Sequence, residues 1–230
     1  MRATVPAFLL AAMLLAGCGS GGGSSSASSN GEASKPATQV LADARKAATS
    51  ASSLHVSGSI NSSGTAITLD LSLAKNKGAT GSMTTGGLEF SLIRIGNTVY
   101  IKGSEAFLKH FAGAAAGLIK GKWLKASATS GQLASLTPLT SPGALFGAIG
   151  NNHGKLASDG TTTYKGQQVV EIRDTSDNSK LYVAATGTAY PVAIVGGKKG
   201  QSGAITFDDW NKSVSLSAPK DAIDISSLTG

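Results

Sequence analysis

The chain has almost no cysteine: Cys18 is the single thiol among 230 residues. One thiol forms no internal disulfide. With only His55, His110 and His153 beside it, and no short spacing among them, it makes no metal-binding pattern. Aromatic residues are scarce at 5%, so a core must be filled mainly by Leu, Ile, Val and Ala. There is no G-x-S-x-G elbow and no G-x-x-x-x-G-K-[ST] phosphate loop. Nothing in the sequence marks an enzyme, and no cofactor or metal is expected. Acidic residues are outnumbered 13 to 20, giving a net charge of +7. Nucleic-acid binding would need a basic face interleaved with stacking aromatics, which are lacking here.

No apolar run reaches the roughly 20 residues that span a bilayer as a helix. The run from Val5 to Gly17 is thirteen residues long, follows the basic Arg2, and has the proportions of an export signal. It ends Leu15-Ala16-Gly17-Cys18, which resembles the lipobox of bacterial lipoproteins. The resemblance implies a signal over 1–17, cleaved before Cys18, and acylation of the Cys18 sulfur. Cys18 would then be the attachment to the cell membrane, on its extracytoplasmic face. Two or three acyl chains, at about 0.8 kcal/mol per buried CH₂, make a durable anchor where one does not. The Gly17-Cys18-Gly19-Ser20-Gly21-Gly22 run also spells a dinucleotide fingerprint, but it lacks the preceding strand and following helix that the chemistry needs. Residues 18–35, rich in Gly and Ser, read as the acylated cysteine and a flexible tether with a reach of roughly 20–25 Å.

Residues 36–230 read as one domain. Pro36 opens a helix whose Val40, Ala44, Ala47, Ala48 and Ala51 share one narrow face. Ile67, Leu69, Leu71 and Leu73 then alternate with polar residues, as on a half-buried strand that forms a hairpin with "SSLHVSGSI". Gly96-Asn97 marks a second hairpin within "LEFSLIRIGNTVYIKG". Further strands are expected at "TTTYKGQQVVEIRD", "KLYVAAT", "YPVAIVGG", "AITFDDW" and "SVSLSAP". Between the two strand groups, Phe107, Phe111, Ala114 and Leu118 fall at helical spacing, and Ser141-Pro142 opens a further helix. This order predicts an α+β fold: one large antiparallel sheet with segregated helices.

Asp208-Asp209 looks like a carboxylate pair, but neighbours on a strand point to opposite faces. Asp174 to Asn178 has the composition of a calcium loop without its glycine or distal Glu, so a hairpin turn is expected. Lys109, Lys120, Lys122 and Lys125 gather around Trp123, either as a membrane-facing rim or as a solvated face with Trp123 in the core.

The lipobox, the alanine-rich helix ending "ATSASSLHVSGSI", the strands leading into "NTVYIKG", the helical insertion, "KWLKAS" and the closing "SVSLSAPKDAIDISSL" together resemble the actinobacterial lipoproteins related to LppX and LprG. Their fold is shared with the LolA and LolB lipoprotein carriers. The resemblance implies an incomplete barrel whose hollow, under a helical cover, accepts a lipid or other amphiphile and carries it through the envelope. Ile67, Leu69, Leu71, Leu88, Phe90 and Leu92 would line it from the sheet, and Phe107, Phe111, Leu118, Leu145 and Phe146 from the helices. The "GAAAG" stretch, Gly113 to Gly117, would be a loosely filling part of the cover. The same apolar positions also suit a closed, dry core, and the domain would then be an interaction module that docks a protein partner near the membrane.

Overall fold

A computed structural model describes residues 28–62, 64–128, 141–149, 153–197 and 202–225. Cys18, the apolar run before it and the glycine-rich residues just after it lie outside the described residues.

The first hairpin joins β1 (Ser53–Ser62) to β2 (Thr65–Ala74), followed by β3 (Gly78–Thr85), β4 (Leu88–Ile95) and β5 (Thr98–Gly103). After the helical insertion and β6 (Leu124–Ser127) come β7 (Leu156–Tyr164), β8 (Gln167–Asp174), β9 (Lys180–Ala184), β10 (Pro191–Val195), β11 (Gly203–Asp208) and β12 (Ile223–Asp224). All twelve form one sheet in the order β12-β6-β5-β4-β3-β2-β1-β11-β10-β9-β8-β7. Every pairing is antiparallel except that of β12 with β6. β12 and β7 are the two edges, so the curved sheet does not close into a barrel. The α+β expectation holds.

Among the described residues, four α-helices accompany the sheet: α1 (Ala37–Ser50), α2 (Glu105–Ala112), α3 (Ala116–Ile119) and α4 (Pro142–Ile149). α1 packs as its alanine pattern requires. Ala37, Val40 and Ala44 meet Val170, Ile172 and Val183, while Ala48 joins the cluster of Leu54, Leu71 and Phe207. Small side chains let the helix axis lie close to the sheet, so one helix spans two parts of the core. Ser141 accepts a hydrogen bond from the Ala144 backbone N–H at 3.3 Å, which caps α4 as expected.

One strand had no signal in the sequence, and three expectations need correction. β3 carries one large apolar residue, Met83, so it has no alternation to announce it. "SVSLSAP" is not a strand. It lies in the segment that leaves β11 and returns at β12, on the far side of six other strands. Val214 and Leu216 are partly buried between exposed serines, so their alternation reports which side faces the protein, not a hydrogen-bonded ladder. The tether does not run free to Lys35. Asn30 donates from its backbone N–H to the Ala185 carbonyl (2.9 Å) and from its side-chain amide to the Ala184 carbonyl (2.8 Å). Lys35 bridges the buried Glu32 and Asp43, each at 2.7 Å. Polar pairing docks this segment, although its composition has little apolar surface to bury. Finally, the insertion is not one helix: Gly113, at φ 52° and ψ −122°, ends α2, and a 3-10 turn leads into α3.

Gly81 shows how tightly the strands approach. Its φ is 148°, and a Cβ there would overlap the Asp70 carbonyl oxygen on β2. Gly81→Ala is expected to lower the free energy of unfolding by about 2 kcal/mol or more in urea denaturation. Gly117→Ala, with open space around it on α3, should instead be neutral or stabilising by under about 1 kcal/mol. Equal effects at the two positions would contradict this account.

Candidate functional site

Strand register sorts the inner, helix-bearing face into rows that run across the sheet. One row is Leu54, Leu73, Ala79, Arg94 and Val99, in which each apolar side chain is at most 2% exposed and Arg94 is partly buried. The next holds Phe207, Val56, Leu71, Gly81, Leu92 and Ile101, with every apolar side chain still buried. The third holds Ile205, Leu69, Met83 and Phe90, of which Leu69 and Ile205 reach 8% and Met83 is only partly buried. The last holds Ile60, Ile67 and Leu88, all partly buried. Burial therefore falls steadily along the strands. One end of the inner face is a sealed core, and the other leaves apolar side chains in reach of solvent.

Helices flank this open end. Leu145 and Phe146 of α4 are buried on the Leu69–Leu71 cluster, and the Phe146 ring lies 4.9 Å from Phe207 and 6.0 Å from Trp210. Trp210 stacks in turn on Tyr190 at 4.4 Å. On the other flank, Ser104 caps α2 by accepting from the Phe107 N–H (3.2 Å), which aims Phe107 over Gly103. Any Cβ at Gly103 would overlap the Phe107 ring. Phe107 sits 5.0 Å from Phe90 and 4.5 Å from Phe111, so three rings run from the buried third row outward.

The eleven side chains expected to line one hollow are thus distributed. Ile67, Leu69, Leu88 and Phe90 lie in the two outer rows. Leu71 and Leu92 belong to the sealed rows, with Leu145 and Phe146 packed on the Leu71 cluster. Phe107 touches the Phe90 cluster from its edge. Phe111 and Leu118 are corrections: they are 55% and 82% exposed and line nothing. The break at Gly113 turns the helical stripe off the core, and Leu108, Ala116 and Ile119 are buried in its place. Met83, Ile60, Trp210 and Ile194 were missed, although each packs against the main cluster. The alternation of β1 could have given Ile60; Met83 had no such signal. Two surface clefts of about 250 and 320 Å³ lie elsewhere, and none of the eleven lines either.

The outer face is polar. His55 on β1 lies between Asp70 of β2 and Asp208 of β11, at 3.0 Å from Nε2 and 2.9 Å from Nδ1. Both ring nitrogens face carboxylate oxygens, an arrangement that favours the doubly protonated ring. Burial pulls its pKa down, but the two carboxylate hydrogen bonds outweigh that and raise it above the ordinary value near 6.5. These partners stand 15 and 153 residues away in sequence, so no local motif could show them. Asp209 turns away to Lys212 at 2.6 Å. Asp174 is held by the N–H groups of Gly154 and Ser176 and by the Ser176 hydroxyl, which lower its pKa, hydroxyl bond first. This is the expected turn, with protein donors on the carboxylate where a calcium ion would sit. Among the described residues, no group of three or more His, Cys, Asp and Glu side chains is placed to hold a metal.

By sequence, no family model and no curated relative matches the chain. By structure, it is similar to LprF from Mycobacterium bovis, at 17% identity and a TM-score of 0.55, over 80% of this chain and 96% of that one. It is also similar to the lipoprotein LppX of Mycobacterium tuberculosis, at 15% identity and a TM-score of 0.50, over 78% and 97% of the two chains. A LolA superfamily protein from Nitrosomonas europaea aligns over 80% of this chain, but its TM-score of 0.25 adds nothing to the argument. At these identities the likeness establishes the fold, which is the LppX type that the sequence resembles.

Because the fold favours protonated His55, its contribution to stability is present in full below pH 6.5 and is lost as pH rises through the raised folded value. An NMR titration should place the His55 pKa above 6.5 in the parent and lower it in Asp208→Asn. An unshifted parent ring would contradict the geometry.

Proposed function

We propose that this protein is a non-enzymatic lipoprotein of the cell envelope, anchored through acylated Cys18 on the extracytoplasmic face of the membrane. It binds the acyl part of a lipid or other amphiphile between the open end of the sheet and its helical cover. The observation that carries the reading is the burial gradient on the inner face. A folded domain ordinarily seals its apolar rows, and here Ile60, Ile67, Met83 and Leu88 stay partly uncovered at one end, with Phe107 beside Met83.

Apolar surface of this kind gains roughly 25 cal/mol for each Å² removed from water, so an acyl chain laid along the open rows binds without any polar recognition. The headgroup would remain outside, where polar strand ends and solvent meet it. Selectivity would then come from chain length and shape, set by where the sealed rows begin at Leu71 and Leu92. The likeness in fold to LprF and LppX supports this reading, as does the lipobox order at Leu15 to Cys18. Carriage between membranes follows if the bound chain exchanges through the same open end.

Native mass spectrometry of the protein purified from an actinobacterial host tests the binding. Discrete added masses that extract into organic solvent are expected, and Leu69→Trp, which fills the third row, should reduce them several-fold while the chain still folds. A single bare mass with no uptake of an apolar dye would overturn lipid binding and favour a closed module that docks a protein. Cys18→Ala should separately release the protein from membranes and abolish its acyl mass. Retention of the variant on membranes would overturn the anchor.

A further inference from the structure

We infer that the α2–α3 unit is a second, non-covalent membrane contact, which docks onto the headgroup region of an anionic bilayer. The nine residues from Phe111 to Ile119 carry no polar side chain. Phe111, Gly113, Ala114, Ala115, Gly117 and Leu118 are nonetheless exposed, Leu118 to 82%. Phe111 and Leu118 are the exposed large hydrophobics among the described residues.

The exposure is imposed by the fold. Leu108, Ala116 and Ile119 are buried with Leu124, and Lys120 pairs with Glu105 at 2.6 Å, which ties the end of α3 back to the start of α2. The unit is therefore seated firmly while its apolar side faces outward.

Charge decides the occupant. Lys109, Lys120 and Lys122 flank the apolar run at both ends, against the single carboxylate of Glu105. Lys109 and Lys120 share Glu105 at 2.7 and 2.6 Å, so this trio keeps a net positive charge; both lysines are about two-thirds exposed, and with the exposed Lys122 they present that charge to phosphates beside the apolar surface. The core of a protein interface excludes lysine and selects aromatic anchors and shaped pockets, and this surface of Ala and Gly offers few. A bilayer needs no shaped partner. The lysines on either side of the run set the depth, because their charged heads stay with water and headgroups and bar the unit from the hydrocarbon interior. This surface extends the membrane-anchored part of the reading above and takes no part in holding cargo.

The chain's lone thiol makes the test direct. Residues 18–230 with Cys18→Ser and Ala114→Cys keep every described residue but the labelled one and present one site for the fluorophore NBD. An amino-terminal His tag on nickel-chelating lipid replaces the acyl anchor, and no cargo is measured, so failure here and failure of the lipid-binding reading are separable. On vesicles of phosphatidylcholine with phosphatidylglycerol, a several-fold rise and blue shift of NBD emission are expected, with little change on phosphatidylcholine alone. Leu118→Asp or Lys122→Glu should remove most of the rise, and a label at Thr162→Cys on exposed β7 should show none. An unchanged Ala114 label on the anionic vesicles, or an equal response on both vesicle types, would overturn the inference. So would a label that stays silent on vesicles and shifts only with envelope protein, which would assign the surface to a protein partner.

Discussion

A twelve-stranded sheet with one apolar face must hide that face, and this sheet does not hide it by closing on itself. In a closed barrel, the far wall covers each inward side chain. Here the edges β7 and β12 remain apart, so the cover must come from helices, and helices cover unevenly. The sealed rows at Leu54 and Leu71 lie where α1 and α4 reach them. The outer rows at Leu69 and Ile67 have less above them, and their exposure rises accordingly. The open end is thus a consequence of topology before it is a site.

Small residues control how the cover fits. Gly81 lies in the sealed second row, where a side chain would collide with the neighbouring strand. Gly103, at the end of the third row, provides the seat of Phe107. Alanines along α1 do the same on the other side, allowing a close axis at the expense of buried area. A core made this way relies on backbone approach more than on large side chains, as a chain with 5% aromatics must. The aromatics present are grouped: Phe90, Phe107 and Phe111 on one flank, and Phe146, Phe207, Trp210 and Tyr190 on the other. The first group borders the open end, and the second packs along the sealed rows, with Trp210 next to Asn211, whose N–H donates to the Ser53 carbonyl.

Much of this was legible in the sequence because alternation and helical spacing report burial directly. β2 declares itself through Ile67, Leu69, Leu71 and Leu73, and α1 through Val40 and its alanines. The failures have a common cause, which is that a pattern shows which side chains face inward but not what pairs with what. Val214 and Leu216 face inward without a ladder. Phe111 and Leu118 keep helical spacing on paper, but the backbone turns at Gly113 between them. β3 pairs fully with both neighbours while nearly bare of apolar residues, since its partners supply the register. Long-range polar contacts, such as Asn30 on β9 or His55 between two carboxylates, leave no local signal at all.

The two chain ends give the sheet a fixed attitude toward whatever holds them. Residues 29–35 dock beside Thr186 and α1, so the leash to an anchor at Cys18 is shorter than composition alone implies. The chain after β11 crosses to β6 at the opposite edge, where Ile223 donates to the Trp123 carbonyl at 2.8 Å, just beyond α3. The apolar tip of α2–α3 is therefore braced from the far side of the sheet as well as from its own helix. On the proposed reading, a short leash and a basic tip would reinforce each other: each would restrict the domain's tilt, and the second contact would form at the high local concentration that the first provides. The Phe111–Phe107–Phe90 ladder joins that tip to the third row of the sheet.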